Sequence, residues 1–200
     1  MKPLHFPSIT RYKPSVNHDG FTIVELLIVI VIIAILATIT IVTYRGIQQR
    51  ANNTAVVDAA SKAYRMVTAY VSTNGTYPAA ANACVTSTTG CLWGGNITAT
   101  NASFDTNLST IGTLPRSVPG ASTVDKGVIY AYSAGRTMEG IVQPVILIYH
   151  LEGINQQCKL PGITNSGGAT MLTATTGYTA GDSGGSGMTA CVLSIAGPTT

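Results

Sequence analysis

Few residues of this chain have side chains that could take part in acid–base or nucleophilic chemistry. The sequence contains three histidines, and only His150 lies beyond residue 18. A general base must sit within hydrogen-bond reach of the proton it removes. His150 lies in an apolar run typical of a β-strand, with no nucleophile indicated near it. We therefore predict that the chain has no catalytic residue, is not an enzyme, needs no cofactor, and carries His150 on a sheet face.

The four cysteines indicate disulfide bonds rather than a metal site. They occupy positions 84, 91, 158 and 191, and none of these spacings is the C-x-x-C of zinc sites and thioredoxin-like redox motifs. Four cysteines permit three pairings. We favour Cys84–Cys91 and Cys158–Cys191, because each bridge then closes one irregular region of the chain. Disulfides persist in oxidising compartments, so the chain beyond residue 50 is expected outside the cytoplasm.

An acidic residue within an apolar segment is the most unusual feature of the sequence. Residues 21–42 are apolar except at four positions, one of which is Glu25, and about 20 such residues in a helix cross a bilayer. A carboxylate there costs roughly 2.5–3.5 kcal/mol at mid-membrane and less near an interface. A secretory signal peptide or a plain membrane anchor would have no use for this acid, and no partner for it is expected within one chain.

Cleavage of the chain just before the apolar segment would supply that partner. A cut between Gly20 and Phe21 places Glu25 one helical turn from a new amino terminus. The ammonium group of a neighbouring copy, staggered along the helix axis, could then pair with the carboxylate and offset the cost of burying it. Glu25 therefore predicts self-assembly.

The cleavage point lies in the sequence Gly20-Phe21-Thr22-Ile23-Val24-Glu25-Leu26-Leu27-Ile28-Val29-Ile30. This sequence resembles the leader-peptidase signature of type IV prepilins and their pseudopilin relatives. The resemblance implies that residues 1–20 are a leader, that a prepilin peptidase cuts after Gly20 and methylates the amino group of Phe21, and that Glu25 acts in assembly. Many relatives have a helix-breaking proline where this chain has Val42, so a proline-driven break in the helix is not expected here.

The elements that must position these residues are a long helix and a small sheet. Residues 44–73 contain no proline, and their apolar residues recur with a period close to 3.6, as in an amphipathic helix. We predict one helix over residues 21–73, of which 21–42 span the membrane or form the filament core, and an αβ-loop over 74–126. Strand-like segments at 128–132, 141–151 and 189–195 place an antiparallel sheet, with a disulfide-clamped C-terminal flap, in residues 127–200. The predicted class is α+β and type IV pilin-like.

The distribution of charge disfavours two kinds of ligand. Residues 66–200 carry four basic and five acidic residues, which is not the clustered basic surface of a nucleic-acid-binding domain. A calcium loop, known in some pseudopilins, is disfavoured because residues 161–187 hold a single acid, Asp182, whereas calcium takes roughly six to eight oxygen ligands. No metal site is predicted.

These observations favour a structural subunit, the major pilin of a type IV pilus, used in adhesion, twitching motility or DNA uptake. It would be stored in the cytoplasmic membrane and polymerised with itself into a helical extracellular filament. The P-loop pattern GxxxxGK[ST] is absent from the sequence, so the ATPase of the inner-membrane assembly platform must be another protein. The alternatives are a pseudopilin of a type II secretion-like system, a minor or tip pilin, and a membrane-anchored surface domain that does not polymerise. No receptor and no bound DNA is identified by the sequence.

Overall fold

The computed structural model describes residues 20–116, 125–138, 141–154, 156–158, 160, 171–172 and 187–197. It contains a long N-terminal helix, α1 (Ile23–Asn74), and a small antiparallel sheet. The predicted α+β class is therefore confirmed. The chain divides into two compact units, one ending at Thr43 and the other beginning at Tyr44.

The first unit is the apolar part of α1. The side chains that the structure describes there are uncovered, since every residue from 21 to 43 is exposed. The helix is long and apolar enough to cross a membrane. An apolar surface of this extent marks a membrane or protein interaction site, so lipid or further copies must cover it.

The part of α1 in the second unit packs on the sheet through one stripe of small and apolar residues. Its buried members recur every three or four positions, as one helix face requires; they include Val56, Ala60, Ala63, Val67 and Val71. The helix ends at Asn74 because Gly75 adopts a positive φ of 67°. Its N–H donates to the Val71 carbonyl over 2.9 Å, the arrangement of a glycine C-cap.

The second unit also contains nine strands and a short helix among the residues that the structure describes. In chain order these are β1 (Ala83–Cys84), β2 (Cys91–Trp93), β3 (Asn96–Thr98), α2 (Ala102–Ser109), β4 (Val128–Tyr132), β5 (Thr137–Met138), β6 (Ile141–Val142), β7 (Val145–Glu152), β8 (Met171–Leu172) and β9 (Met188–Ile195). The main sheet has the order β1-β4-β7-β9-β8, and every neighbouring pair in it is antiparallel. The β2–β3 and β5–β6 pairs form two separate hairpins.

The central strand β7 separates two apolar layers. Leu147, Tyr149 and Leu151 belong to the core shared with α1. Ile146 and Ile148 point to the opposite side, where they pack with Cys84 and Cys91. This alternation is the period of two expected of a strand buried on both faces.

The single strand predicted over residues 141–151 is divided in the structure. Residues 141–142 form β6, which pairs with β5, and β7 begins only at Val145. Pro144 lies between them and has no N–H to donate to a ladder. Its carbonyl instead accepts from Ser133 N–H over 2.8 Å, so the strand switches partners at the proline.

Candidate functional site: the start of the long helix

Glu25 caps the helix on which it lies. Its Oε2 accepts from Thr22 N–H over 2.8 Å and from the Thr22 hydroxyl over 2.7 Å. In return, Glu25 N–H donates to Thr22 Oγ1 over 3.2 Å. Reciprocal bonds between residues three apart at a helix start are a capping box, which satisfies N–H groups that have no partner in the helix.

This capping box corrects the expectation that Glu25 would lack a partner within one chain. The first amides of any helix have no acceptor one turn earlier, so an acid at the third helical position can accept a hydrogen bond from one of them. The apolar residues around Glu25 gave no indication of this role. The negative charge also lies at the positive end of the helix dipole. No ion pair to Glu25 occurs within the described part of the chain, so its charge is free to meet a cation from another molecule.

The two residues at the predicted cleavage point precede the helix and are accessible. Gly20 and Phe21 lie outside helical structure, and Phe21 is 81% exposed. A Cβ added to Gly20 would meet no atom within 4 Å. Nothing in the described part of the fold therefore requires glycine at position 20, and a requirement for it would come from an enzyme that binds the junction.

Comparison with known protein families matches residues 16–41 to the prokaryotic N-terminal methylation motif. The N-terminal segment of the chain is therefore similar to that of type IV pilin- and pseudopilin-like prepilins. The match covers the junction at Gly20 and Phe21, the Glu25 cap and most of the apolar helix of the first unit. No curated protein and no solved structure matches the chain. The motif implies processing by a prepilin peptidase and assembly into pili in general.

A polar cluster joins α1 to the end of β7. Asn53 uses both ends of its amide: Glu152 N–H donates to Asn53 Oδ1 over 2.7 Å, and Asn53 Nδ2 donates to the Glu152 carbonyl over 3.0 Å. Gln49 Nε2 donates to the same carbonyl over 2.6 Å, and Asn52 Nδ2 donates to Glu152 Oε1 over 2.9 Å. We call Gln49, Asn52, Asn53 and Glu152 the polar clasp.

The polar clasp was not predicted from the sequence, although a signal for it exists. Gln49, Asn52 and Asn53 have the spacing i, i+3, i+4 that places side chains on one helix face. They lie one to two turns before Val56, where the buried stripe begins. Amide side chains in line with a core stripe indicate that the helix still contacts the domain there. The contact is then made by hydrogen bonds to backbone groups of the domain instead of by apolar packing.

The four cysteines form the two pairs favoured above. Cys84 is bonded to Cys91 with a Cα–Cα distance of 5.2 Å, and Cys158 to Cys191 with a distance of 5.4 Å. The first bridge joins β1 to β2, and the second ties the segment after β7 to β9. The Tyr149 hydroxyl donates to the Cys158 carbonyl, and burial raises the pKa of Tyr149.

His150 is buried on the sheet face away from α1. Its Nε2 lies 3.6 Å from Asp125 Oδ1, and both side chains are fully buried. Asp125 Oδ1 also accepts from Gly94 N–H over 2.8 Å, at the turn between β2 and β3. Burial lowers the pKa of His150, and the Asp125 carboxylate and the Gly127 backbone oppose that shift. The imidazole is buried beside Asp125, which in turn binds the turn of the β2–β3 hairpin, and this arrangement indicates a structural role.

The metal-binding alternative gains no support from the described residues. They contain no group of three or more His, Cys, Asp or Glu side chains that could hold a metal ion. Asp182, the acid weighed for a calcium loop, lies outside the described residues.

Proposed function

We propose that the chain is the major pilin of a type IV pilus. In this proposal the prepilin is cut after Gly20, methylated on Phe21, stored in the cytoplasmic membrane through residues 21–42 and polymerised into an extracellular filament. The observation that carries the proposal is an apolar helix without internal cover, beginning with the methylation motif and attached to a disulfide-bonded globular unit.

The physical basis of assembly is an exchange of one apolar environment for another. The large side chains of the first unit, from Phe21 to Val42, are between 47% and 84% exposed in the single chain. Burial of apolar surface contributes about 25 cal/mol per Å², so this surface is strongly unfavourable in water. Lipid covers it before assembly and the helices of neighbouring copies cover it afterwards, with little exposure to water between the two states.

The Glu25 cap is compatible with pairing between copies. The backbone N–H that donates to Glu25 is that of Thr22, in the peptide bond between Phe21 and Thr22. A cut after Gly20 therefore leaves this hydrogen bond in place. Both capping bonds use Oε2, and Oε1 is left to accept from the Phe21 ammonium of a neighbouring copy. The intermolecular pair would therefore add to the cap instead of replacing it.

The role proposed for this chain is structural, and its chemistry is supplied by partners. A prepilin peptidase makes the cut and adds the methyl group, and an inner-membrane platform with its own ATPase extrudes the filament. A pseudopilin, or a minor or tip pilin, would share the N-terminal motif but would occur in few copies. A surface domain that does not polymerise would leave Glu25 without its intermolecular partner.

The test is to shear filaments from cells that express the chain and analyse them by mass spectrometry of terminal peptides. We expect long filaments in which this chain is the dominant subunit and begins at N-methylated Phe21. A subunit that still begins at Met1 would overturn cleavage. A correctly processed chain present only in traces would overturn the assignment as major pilin and favour the rival family roles.

A further inference from the structure

The segment of α1 at the start of the second unit is basic, aromatic and exposed. Tyr44 is 65% exposed, and Arg45 and Arg50 are also exposed. In the sequence this segment directly follows the apolar residues that the proposed function places in the membrane. Neither arginine forms an ion pair with any residue that the structure describes.

The charge of this segment has one sign. Residues 44–50 contain two arginines and no acid, and the next acid along the helix is Asp58. Glu152, the acid at the end of β7, accepts from Asn52 rather than from either arginine. The two exposed guanidinium groups therefore carry a positive charge that no acid among the described residues pairs with.

The length of the segment fits the headgroup layer of a bilayer. At 1.5 Å per residue, residues 44–50 rise by about 9 Å, and a headgroup layer is roughly 5–8 Å thick on each side of the hydrocarbon core. Tyrosine is enriched at this depth because its ring is apolar and its hydroxyl polar. The two arginines lie five positions apart, which places them about 140° apart around the helix, so each would meet a different lipid.

We infer that Tyr44, Arg45 and Arg50 bind the phosphate groups of anionic phospholipids in the leaflet at the C-terminal end of the membrane segment. The guanidinium group is the side chain best shaped for phosphate, because its planar fork donates two parallel hydrogen bonds. The inference rests on the proposed storage of the chain in a membrane. It adds that the stored subunit selects anionic lipids, whose phosphates it must release on entering a filament.

The test measures which lipids surround the helix in reconstituted vesicles. A Val42→Trp reporter in a Trp93→Phe background places the only tryptophan beside the segment. Vesicles of phosphatidylcholine and phosphatidylglycerol carry bromine on one lipid or the other at equal mole fraction, and bromine quenches tryptophan at contact. The full chain is compared with Arg45→Gln/Arg50→Gln, and with Lys62→Gln/Arg65→Gln as the control. The control removes the same charge from exposed positions farther along α1.

We expect phosphatidylglycerol to be enriched around the unmodified reporter chain by roughly fivefold for each arginine near the surface. The enrichment should fall to about onefold in Arg45→Gln/Arg50→Gln and should decrease in high salt, while the control retains it. Equal quenching by both lipids in the reporter chain would overturn the inference, leaving the arginines to an acidic protein partner. Equal loss in both double variants would overturn the assignment to this segment. Quenching by neither lipid would show that the helix does not insert, and would overturn the proposed membrane storage together with the inference.

Discussion

At the scale of single residues, Glu25 has a role within its own chain as well as the proposed one between chains. Its carboxylate closes the capping box with Thr22, so the acid is compatible with a chain that never assembles. The hydrogen bonds of the capping box do not require the negative charge, because such a box forms with either Glu or Gln at this position. Replacing the charge while keeping the cap therefore separates the two roles.

We expect Glu25→Gln to retain the start of the helix and insertion into the membrane, yet to lose incorporation into filaments. Glu25→Ala also removes the acceptor of the Thr22 N–H, at a cost of about 0.5–1.5 kcal/mol, and should show the same loss of filaments with a weakened first turn. Filament yield after shearing measures assembly, and circular dichroism of the membrane-extracted protein measures the helix. Normal filaments from Glu25→Gln would show that the cap, and not the charge, explains this acid.

Position 20 tests whether the demand for glycine comes from the fold or from the peptidase. Nothing lies within 4 Å of a Cβ at Gly20, so Gly20→Ala should leave the fold and the stability of the chain unchanged. We expect it to block or slow removal of the leader, which the intact mass of the membrane protein reports directly. Gly135 provides a matched control, because a Cβ there also meets nothing within 4 Å, and Gly135→Ala should be processed like the natural chain. A mature mass from Gly20→Ala would contradict the cleavage site.

At the scale of elements, the polar clasp and the buried stripe together fix the register of α1 on the sheet. The stripe alone is a poor guide to register, since small residues such as Ala60 and Ala63 present nearly uniform surface. The clasp is specific because Asn53 pairs with both the N–H and the carbonyl of one residue, Glu152. A shift of the helix by one residue would break both bonds.

We expect Asn53→Ala to destabilise the second unit by about 1–3 kcal/mol, because it removes the acceptor of the part-buried Glu152 N–H. The Glu152 carbonyl loses one of its two donors and keeps Gln49. Asn52→Ala is the matched control on the same face. It removes one bond to the half-buried carboxylate of Glu152, which water can replace, and should cost less. Urea unfolding of the full chain in detergent, followed by near-ultraviolet circular dichroism, measures both. Equal destabilisation by the two variants would contradict the specific role of Asn53.

The loop predicted over residues 74–126 shows which elements local signals can reveal and which they cannot. Gly94 and Gly95 both have positive φ at the two-residue turn of the β2–β3 hairpin, a turn that Gly-Gly favours. Asn101 caps α2 by accepting from Phe104 N–H over 3.0 Å. Both signals were present in the sequence and were masked by the loop-like composition around them. The pairing of β1 with β4 could not be predicted from either segment alone, because it joins residues more than forty positions apart.

At the scale of the whole molecule, the parts that could be predicted are those determined by interactions between residues close together in the sequence. The helix follows from an unbroken apolar run and the absence of proline, and its end follows from Gly75. The preference for Cys84 with Cys91 follows from their short separation. The amides of the polar clasp could be recognised on α1 from their spacing, but their partner Glu152 could not, because it is about 100 positions away. The His150–Asp125 pair likewise depends on which distant segments meet. His150 was expected on a sheet face, but its partner 25 positions earlier became apparent only from the structure.

That buried pair makes the stability of the second unit depend on pH. Burial lowers the folded-state pKa of His150 below its ordinary value of about 6.5, so the unfolded chain binds the proton more readily. Stability should therefore fall as the pH drops through 6.5, by at most about 1.4 kcal/mol per pH unit for one group. Urea midpoints at pH 7.5 and pH 5.5 measure the change, and His150→Gln removes its contribution while the carboxylates titrate as before. The variant should lose less stability over this interval than the natural chain; an equal or larger loss would show that His150 does not couple protonation to the docking of the hairpin on the sheet.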